Sequence, residues 1–126
     1  VASVILFSGR VIGEGFNTVA RDSNAAGHAE INALTDALRT LGMETFSSLD
    51  RDSLALVSTF EPCPMCRGAL HEYRISRVEY LKPKPVLHVL GTDIRLLFFH
   101  WSKEFRGPES LQDSLFARHP TFTASR

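Results

Sequence analysis

Residues 54–70, LALVSTFEPCPMCRGAL, pass from one kind of local structure to another around Pro62. LALVSTF (54–60) is a short apolar run with β-branched residues, the pattern of a buried strand. Pro62 ends it, because proline has no N–H for a sheet ladder. Pro64 suits a first helical turn, and Met65, Ala69 and Leu70 carry a helix on to about Tyr73. The same stretch holds both cysteines of the chain, Cys63 and Cys66. At positions i and i+3 of a strand-to-helix turn, both sulfurs can reach one metal ion. The positive end of the helix dipole favours their thiolate forms. Taken alone, the pair allows a dithiol redox couple, half of a structural zinc knuckle, or part of a catalytic metal site.

Upstream, VASVILF (1–7) reads as a buried strand and RVIGEGFN (10–17) as its antiparallel partner. Ser8-Gly9 supplies a two-residue hairpin turn. Gly13 and Gly15 interrupt the second strand and mark a bulge or a close backbone approach. Residues 18–27 are small and polar and read as a loop. From His28 the period changes: Ile31, Leu34, Leu38 and Leu41 recur at steps of three and four, one face of a helix. Gly42 gives it a stop, and residues 44–53 are polar and turn-rich. RVEYL (77–81) is a further strand. The order β-β-α-β-α-β places helical crossovers between parallel strands. The opening hairpin adds an antiparallel edge, so the sheet is mixed.

Beyond Lys82 the pattern weakens. KPKP (82–85) cannot be a central strand. Residues 86–90 fit a strand or the start of a helix, and the apolar run 94–101 has no decisive period. Residues 109–116 read as a helix, with Leu111 and Leu115 four apart. No internal repeat or composition shift divides the chain, so residues 1–126 are expected to form a single domain.

At 126 residues, 44% of them apolar, the chain can bury one core without disulfides. It has no apolar run of about 18 residues, the minimum for a membrane span. No basic-apolar leader marks it for secretion, so the expected compartment is the cytoplasm. The formal net charge is zero, which argues against a domain that binds nucleic acid by bulk charge alone. A local basic patch of Arg67, Arg74, Arg77, Lys82 and Lys84 faces only Glu72 and Glu79 in sequence; its plainest reading is a solvated surface.

A closed structural zinc site takes four protein ligands. No further cysteine is available, but His28 opens the other helix of the motif region. One His and two Cys leave the fourth position to water, the pattern of a catalytic zinc. Glu30, two residues on, gives that position a use. A carboxylate beside a zinc-activated water can take its proton and deliver it elsewhere. His-Ala-Glu followed by Pro-Cys-x-x-Cys is the signature of zinc deaminases acting on nucleobases. A lone CxxC or a lone HxE is weak; both in order, each opening a helix, are specific. The redox pair and the degenerate structural site are the competing readings.

On these residues the sequence resembles the cytidine/deoxycytidylate deaminase superfamily, nearest its tRNA adenosine deaminase and guanine deaminase branches. RVIGEGFN is similar to their second strand, GHAEINAL and EPCPMCRGAL to their two zinc helices, and RISRVEY to the next strand. The likeness covers residues 1–81. It implies a three-layer α-β-α cytidine deaminase-like fold with a mixed central sheet of about five strands. Family members usually carry a helix before the first strand; this chain opens at the strand, so that helix is expected to be absent from it. The resemblance implies one Zn2+ per chain on His28, Cys63 and Cys66, with Glu30 as the proton shuttle. It also implies Asn17 and the backbone N–H of Ala29 as substrate contacts, although Asn17 alone reads as a turn residue. The expected substrate is a free nucleobase or nucleoside. The alternatives are adenosine in tRNA, converted to inosine, and a non-catalytic zinc-binding subunit of the same fold, against which the intact Glu30 speaks. A homodimer is implied by the resemblance only. Glu61 reads as a substrate contact or helix cap, Phe60 as core or pocket wall, and His71 and Tyr73 as surface or subunit contact. His88, His100 and His119 read as structural. FFHW (98–101) reads as core, with a site cover or dimer face as alternatives.

Overall fold

A computed structural model of the chain describes residues 2–99 and 107–118. Strands β1 (Ala2–Phe7) and β2 (Arg10–Phe16) form the expected antiparallel hairpin. Its turn residues have positive φ, 49° at Ser8 and 79° at Gly9. That is the type I′ conformation, whose twist matches the twist of the strands it joins. Strand β3 (Leu54–Phe60) pairs antiparallel with β1, and β4 (Val78–Lys82) adds parallel to β3. The sheet order is β2-β1-β3-β4. β2 and β3 therefore run the same way with β1 between them. Helix α2 (Ala29–Leu41) makes the crossover between them, and α4 (Pro64–Glu72) makes the crossover from β3 to β4.

Two polar stretches contain more helix than their composition suggested. The loop 18–27 includes the short helix α1 (Val19–Asp22), and 44–53 includes α3 (Met43–Ser48) and a 3₁₀ turn at Arg51–Ser53. Phe46 is the reason for α3: it is 1% exposed and belongs to the core. Gly42, at φ 82°, donates its N–H to Leu38 O at 2.8 Å and closes α2 as expected.

The strand number needs correction. Among the described residues the sheet has four strands rather than about five. Residues 86–90, open between strand and helix, begin helix α5 (Val86–Leu97). Pro83 and Pro85 deny the ladder its donors where a fifth strand would start, and Pro85 instead caps the helix. The apolar run 94–101 continues this helix through Leu97; His100 and Trp101, like His119, lie outside the described residues. Helix α6 (Glu109–Phe116) lies where it was expected. No helix among the described residues is long and apolar enough to cross a membrane.

The core gathers Ile5, Leu34, Leu54, Leu56, Leu70 and Ile75 around Phe46. The contact that matters most for the site is α2 on β2. Of the predicted stripe, Leu34 is buried while Ile31, Leu38 and Leu41 are half-buried, and Ala29, Ala33 and Ala37 are 0% exposed. These alanines face the two strand glycines. A Cβ at Gly13 would lie 2.4 Å from Ala33 O, and one at Gly15 would lie 2.5 Å from Ala33 N. Helix and strand thus meet nearly backbone to backbone. The register also shifts between Ile5 and Leu6, leaving Ile12 as an extra residue. The close approach is met at both glycines, while the bulge falls at Ile12, beside Gly13. On the opposite sheet face Val11 and Phe16 are 56% and 64% exposed.

Candidate metal centre

Two helix N-termini converge beside the end of β3. His28 is the N-cap of α2 and Cys63 the N-cap of α4, both with extended backbone. Pro64 fills the first helical position, where its missing N–H costs nothing. One turn further, Cys66 faces inward and is 0% exposed. His28 Nδ1 lies 3.4 Å from Cys63 Sγ and 3.6 Å from Cys66 Sγ. All three donor atoms fall within 4.8 Å of one another. A tetrahedral zinc with bonds of about 2.3 Å to sulfur and about 2.1 Å to nitrogen holds such atoms about 3.6 Å apart. The spacing fits that ion, and both cysteines are free thiols.

The electrostatics fit as well. Burial pushes the Cys66 thiol up, and the neighbouring Glu30 carboxylate and Cys63 push it further. A divalent cation among these groups reverses that balance and favours thiolates. Glu30 is 4% exposed. Its Oε2 accepts from the Cys66 thiol at 3.5 Å, and its Oε1 accepts from the Ser58 hydroxyl at 3.4 Å. Ser58 in turn accepts from the Ser3 hydroxyl at 2.9 Å. Two buried hydroxyls on β1 and β3 therefore orient the carboxylate beside the donor cluster.

A cavity of about 120 Å³ opens on this cluster and is lined by His28, Glu30 and Cys63 together with Asn17 and Ala29. Phe60, Glu61 and Lys84 form the remaining wall. Asn17 serves its turn: its Oδ1 accepts from the N–H of Val19 at 3.0 Å. Its side chain also lines the cavity. Ala29 is the first helical residue, so its N–H has no acceptor within the helix. The structure thus brings together every residue singled out for the site: His28, Ala29, Glu30, Asn17, Cys63 and Cys66.

Other expectations fared differently. Phe60 is a cavity wall rather than core. Glu61 does not cap α4; its Oε2 accepts from Lys84 N–H at 3.2 Å, and its N–H donates to Lys82 O at 3.0 Å. Its carboxylate also meets the Tyr80 hydroxyl and raises that group above the ordinary tyrosine range. Tyr73 packs edge-on against Phe46 with ring centroids 6.0 Å apart, while His71 is exposed. The basic patch is partly neutralised, with Arg67 on Asp93 at 2.7 Å and Arg77 near Glu79 at 3.8 Å. Ser58 and Lys84 were missed as site residues. The signal for Ser58 was a hydroxyl in step with Leu54 and Leu56 on the apolar face of the strand. A larger cavity, about 360 Å³, lies at the far end of α4 around Phe46, Arg51 and Tyr73. It holds none of the clustered metal donors, and Arg51 there donates to the main-chain oxygens of Phe46 and Tyr73.

Residues 1–82 match the family described as the cytidine and deoxycytidylate deaminase zinc-binding region. A tRNA(Ile)-lysidine synthase of Deinococcus deserti is 41% identical over 102 residues, covering 80% of this chain and 18% of that protein. A tRNA-specific adenosine deaminase of Buchnera aphidicola is 31% identical over 93 residues, covering 69% of this chain and 58% of that enzyme. The chain therefore spans less than two thirds of either relative. The X-ray structure of guanine deaminase from Bacillus subtilis superposes with a TM-score of 0.68 at 26% identity, covering 99% of this chain and 82% of that one. The fold is cytidine deaminase-like, and with the family match spanning both strands of the hairpin and both donor helices, the chain belongs to the cytidine and deoxycytidylate deaminase zinc-binding family.

Proposed function

We propose that the chain is a zinc-dependent hydrolytic deaminase that converts an exocyclic amine of a nucleobase to a carbonyl and releases ammonia. The observation that carries this reading is the placement of Glu30. A buried carboxylate stands against a three-donor cluster that lacks a fourth protein ligand among the described residues. A structural zinc site has no use for such a group. Bound by His28, Cys63 and Cys66, zinc supplies the Lewis acidity that activates a water.

The chain's own residues do the rest. Glu30 takes a proton from the attacking water and passes it to a ring nitrogen. The water oxygen bonds to the amine-bearing carbon. Glu30 then carries the second proton to the departing nitrogen, the C–N bond breaks, and ammonia leaves. The Asn17 amide and the Ala29 N–H hold the ring's acceptors, and Phe60 gives the base an apolar wall. Ser58 keeps one lone pair of Glu30 occupied, so its other oxygen faces the reaction.

A second reading, adenosine within tRNA, is favoured by the tRNA-directed names of the Deinococcus and Buchnera relatives. One assay separates the readings. Zinc-loaded protein is offered guanine, cytosine, adenine, their nucleosides and a tRNA anticodon stem-loop, and ammonia is measured. Glu30→Gln is expected to keep about one zinc per chain and to lose about a hundredfold or more in kcat. Activity within tenfold of the wild type in that variant would overturn the mechanism.

A further inference from the structure

Lys84 is the ammonium-bearing wall residue of the cavity, and the reaction above leaves it without a task. It stands between Pro83 and Pro85, which restrict the backbone on both sides. Its N–H is held by Glu61 Oε2 at 3.2 Å. Glu61 is itself tied to the sheet, its N–H donating to Lys82 O at 3.0 Å. The side chain is half-buried, and its Nζ lies 5.5 Å from the centre of the Phe60 ring. A cation over an aromatic face is held but not neutralised.

Its neighbours differ. Arg67 is paired with Asp93 at 2.7 Å and Arg77 with Glu79 at 3.8 Å. The Glu61 carboxylate serves the Lys84 N–H and the Tyr80 hydroxyl instead of the Lys84 ammonium. No carboxylate forms an ion pair with Lys84 among the described residues. A half-buried cation that is fixed in place and unpaired is prepared for an anion that arrives with a ligand.

A second cavity, about 70 Å³, adjoins the first and shares Glu61, Cys63 and Lys84 with it. Arg67, His88 and Thr92 complete its polar side. Lys84 therefore stands on the boundary between a compartment that faces the metal donors and a small compartment that also holds the Arg67 guanidinium, the His88 ring and the Glu61 carboxylate.

We propose that Lys84 is the specificity-determining residue of this site: its ammonium binds a phosphate attached to the nucleoside being deaminated, so that a nucleotide is taken in preference to the free base or nucleoside. This rests on the deaminase reading above. The base occupies the compartment at Glu30, and the phosphate lies at the boundary with the second. The phosphate is either a terminal monoester or a diester within a single strand; the ammonium recognises both.

The test uses matched pairs that differ only in phosphate. For zinc-loaded protein, kcat/KM is compared for a nucleoside, its 5′-monophosphate and a short single-stranded oligonucleotide carrying the same base. The phosphorylated members are expected to exceed the nucleoside by about tenfold or more, the size of one charge-assisted hydrogen bond. Lys84→Gln is expected to bring that ratio toward one, and Lys84→Arg to retain most of it. The better of the two phosphorylated members identifies monoester or diester. A wild-type ratio near one, or a ratio unchanged in Lys84→Gln, overturns the proposal. Equilibrium binding of the same pairs to zinc-loaded Glu30→Gln separates this claim from the chemistry. If no ligand is deaminated by the wild type, the deaminase reading fails. The phosphate claim then stands or falls on whether Lys84→Gln, placed in that background, weakens monophosphate binding about tenfold relative to the nucleoside.

Discussion

Ser58 shares its strand face with Leu54 and Leu56, both fully buried, yet it keeps a hydroxyl there. Two polar groups require it: the Ser3 hydroxyl donates to it at 2.9 Å, and it donates to Glu30 at 3.4 Å. Ser58→Ala removes a partner from each. The expected loss is about 1–3 kcal/mol of stability, seen as a lower Tm, with kcat/KM falling about tenfold and zinc content unchanged. A variant with wild-type kcat/KM would show that Glu30 needs no such support. This residue also marks where reading the sequence stops. His28, Glu30, Cys63 and Cys66 were legible because their types and spacing have few other uses. Ser58 was not, because its role arises from the register that sets Ser3 opposite Ser58, a pairing 55 residues apart in the chain. Lys84 was read only as one charge in a patch, since nothing local says that the Phe60 ring lies beneath it.

At the scale of elements, α2 sets the site because it carries His28 and Glu30, and its height over β2 is fixed by Gly13 and Gly15. In Gly15→Ala the new Cβ would meet Ala33 N at 2.5 Å and Ala29 O at 2.7 Å, so the helix must shift. The expected result is a loss of about 1–3 kcal/mol together with weaker zinc retention, measured by unfolding and by metal content after dialysis. Gly68→Ala, inside α4 with nothing within 4 Å of the new atom, should instead gain about 0.5–1 kcal/mol. If both variants behaved alike, the close helix–strand approach would not be what holds α2 in place. Local pattern located β3, α2 and α4 well, because a period or a proline marked each boundary. It missed α1 and α3, which lie in polar stretches where tertiary contacts outweigh propensity. It also centred α2 on its leucines, whereas the tight contact runs along its alanines, which a scale based on side-chain size underrates.

Over the whole molecule, the donor cluster joins His28 to Cys63 across 35 residues of sequence. A metal there acts as a cross-link between the two helices. By the loop-closure argument such a link is worth about 3–4 kcal/mol, a rise in Tm of more than about 10 °C in a domain of this size. Calorimetry with one equivalent of zinc and then with excess chelator should show that difference, and coincident transitions would exclude a metal tie between α2 and α4. The mixed sheet followed from the opening hairpin together with the alternation of strands and helices. The path beyond Lys82 did not, because a uniformly apolar segment carries no period to read. The exposed side chains of Val11 and Phe16 on the outer sheet face, with Leu87 and Leu97 on α5, bear on how the chain behaves in bulk solution. With a formal net charge of zero and a sequence pI near 7.1, long-range repulsion between molecules vanishes near neutrality, where those apolar surfaces then set the solubility. A shift of pH in either direction restores a net charge, and with it the colloidal stability of the chain.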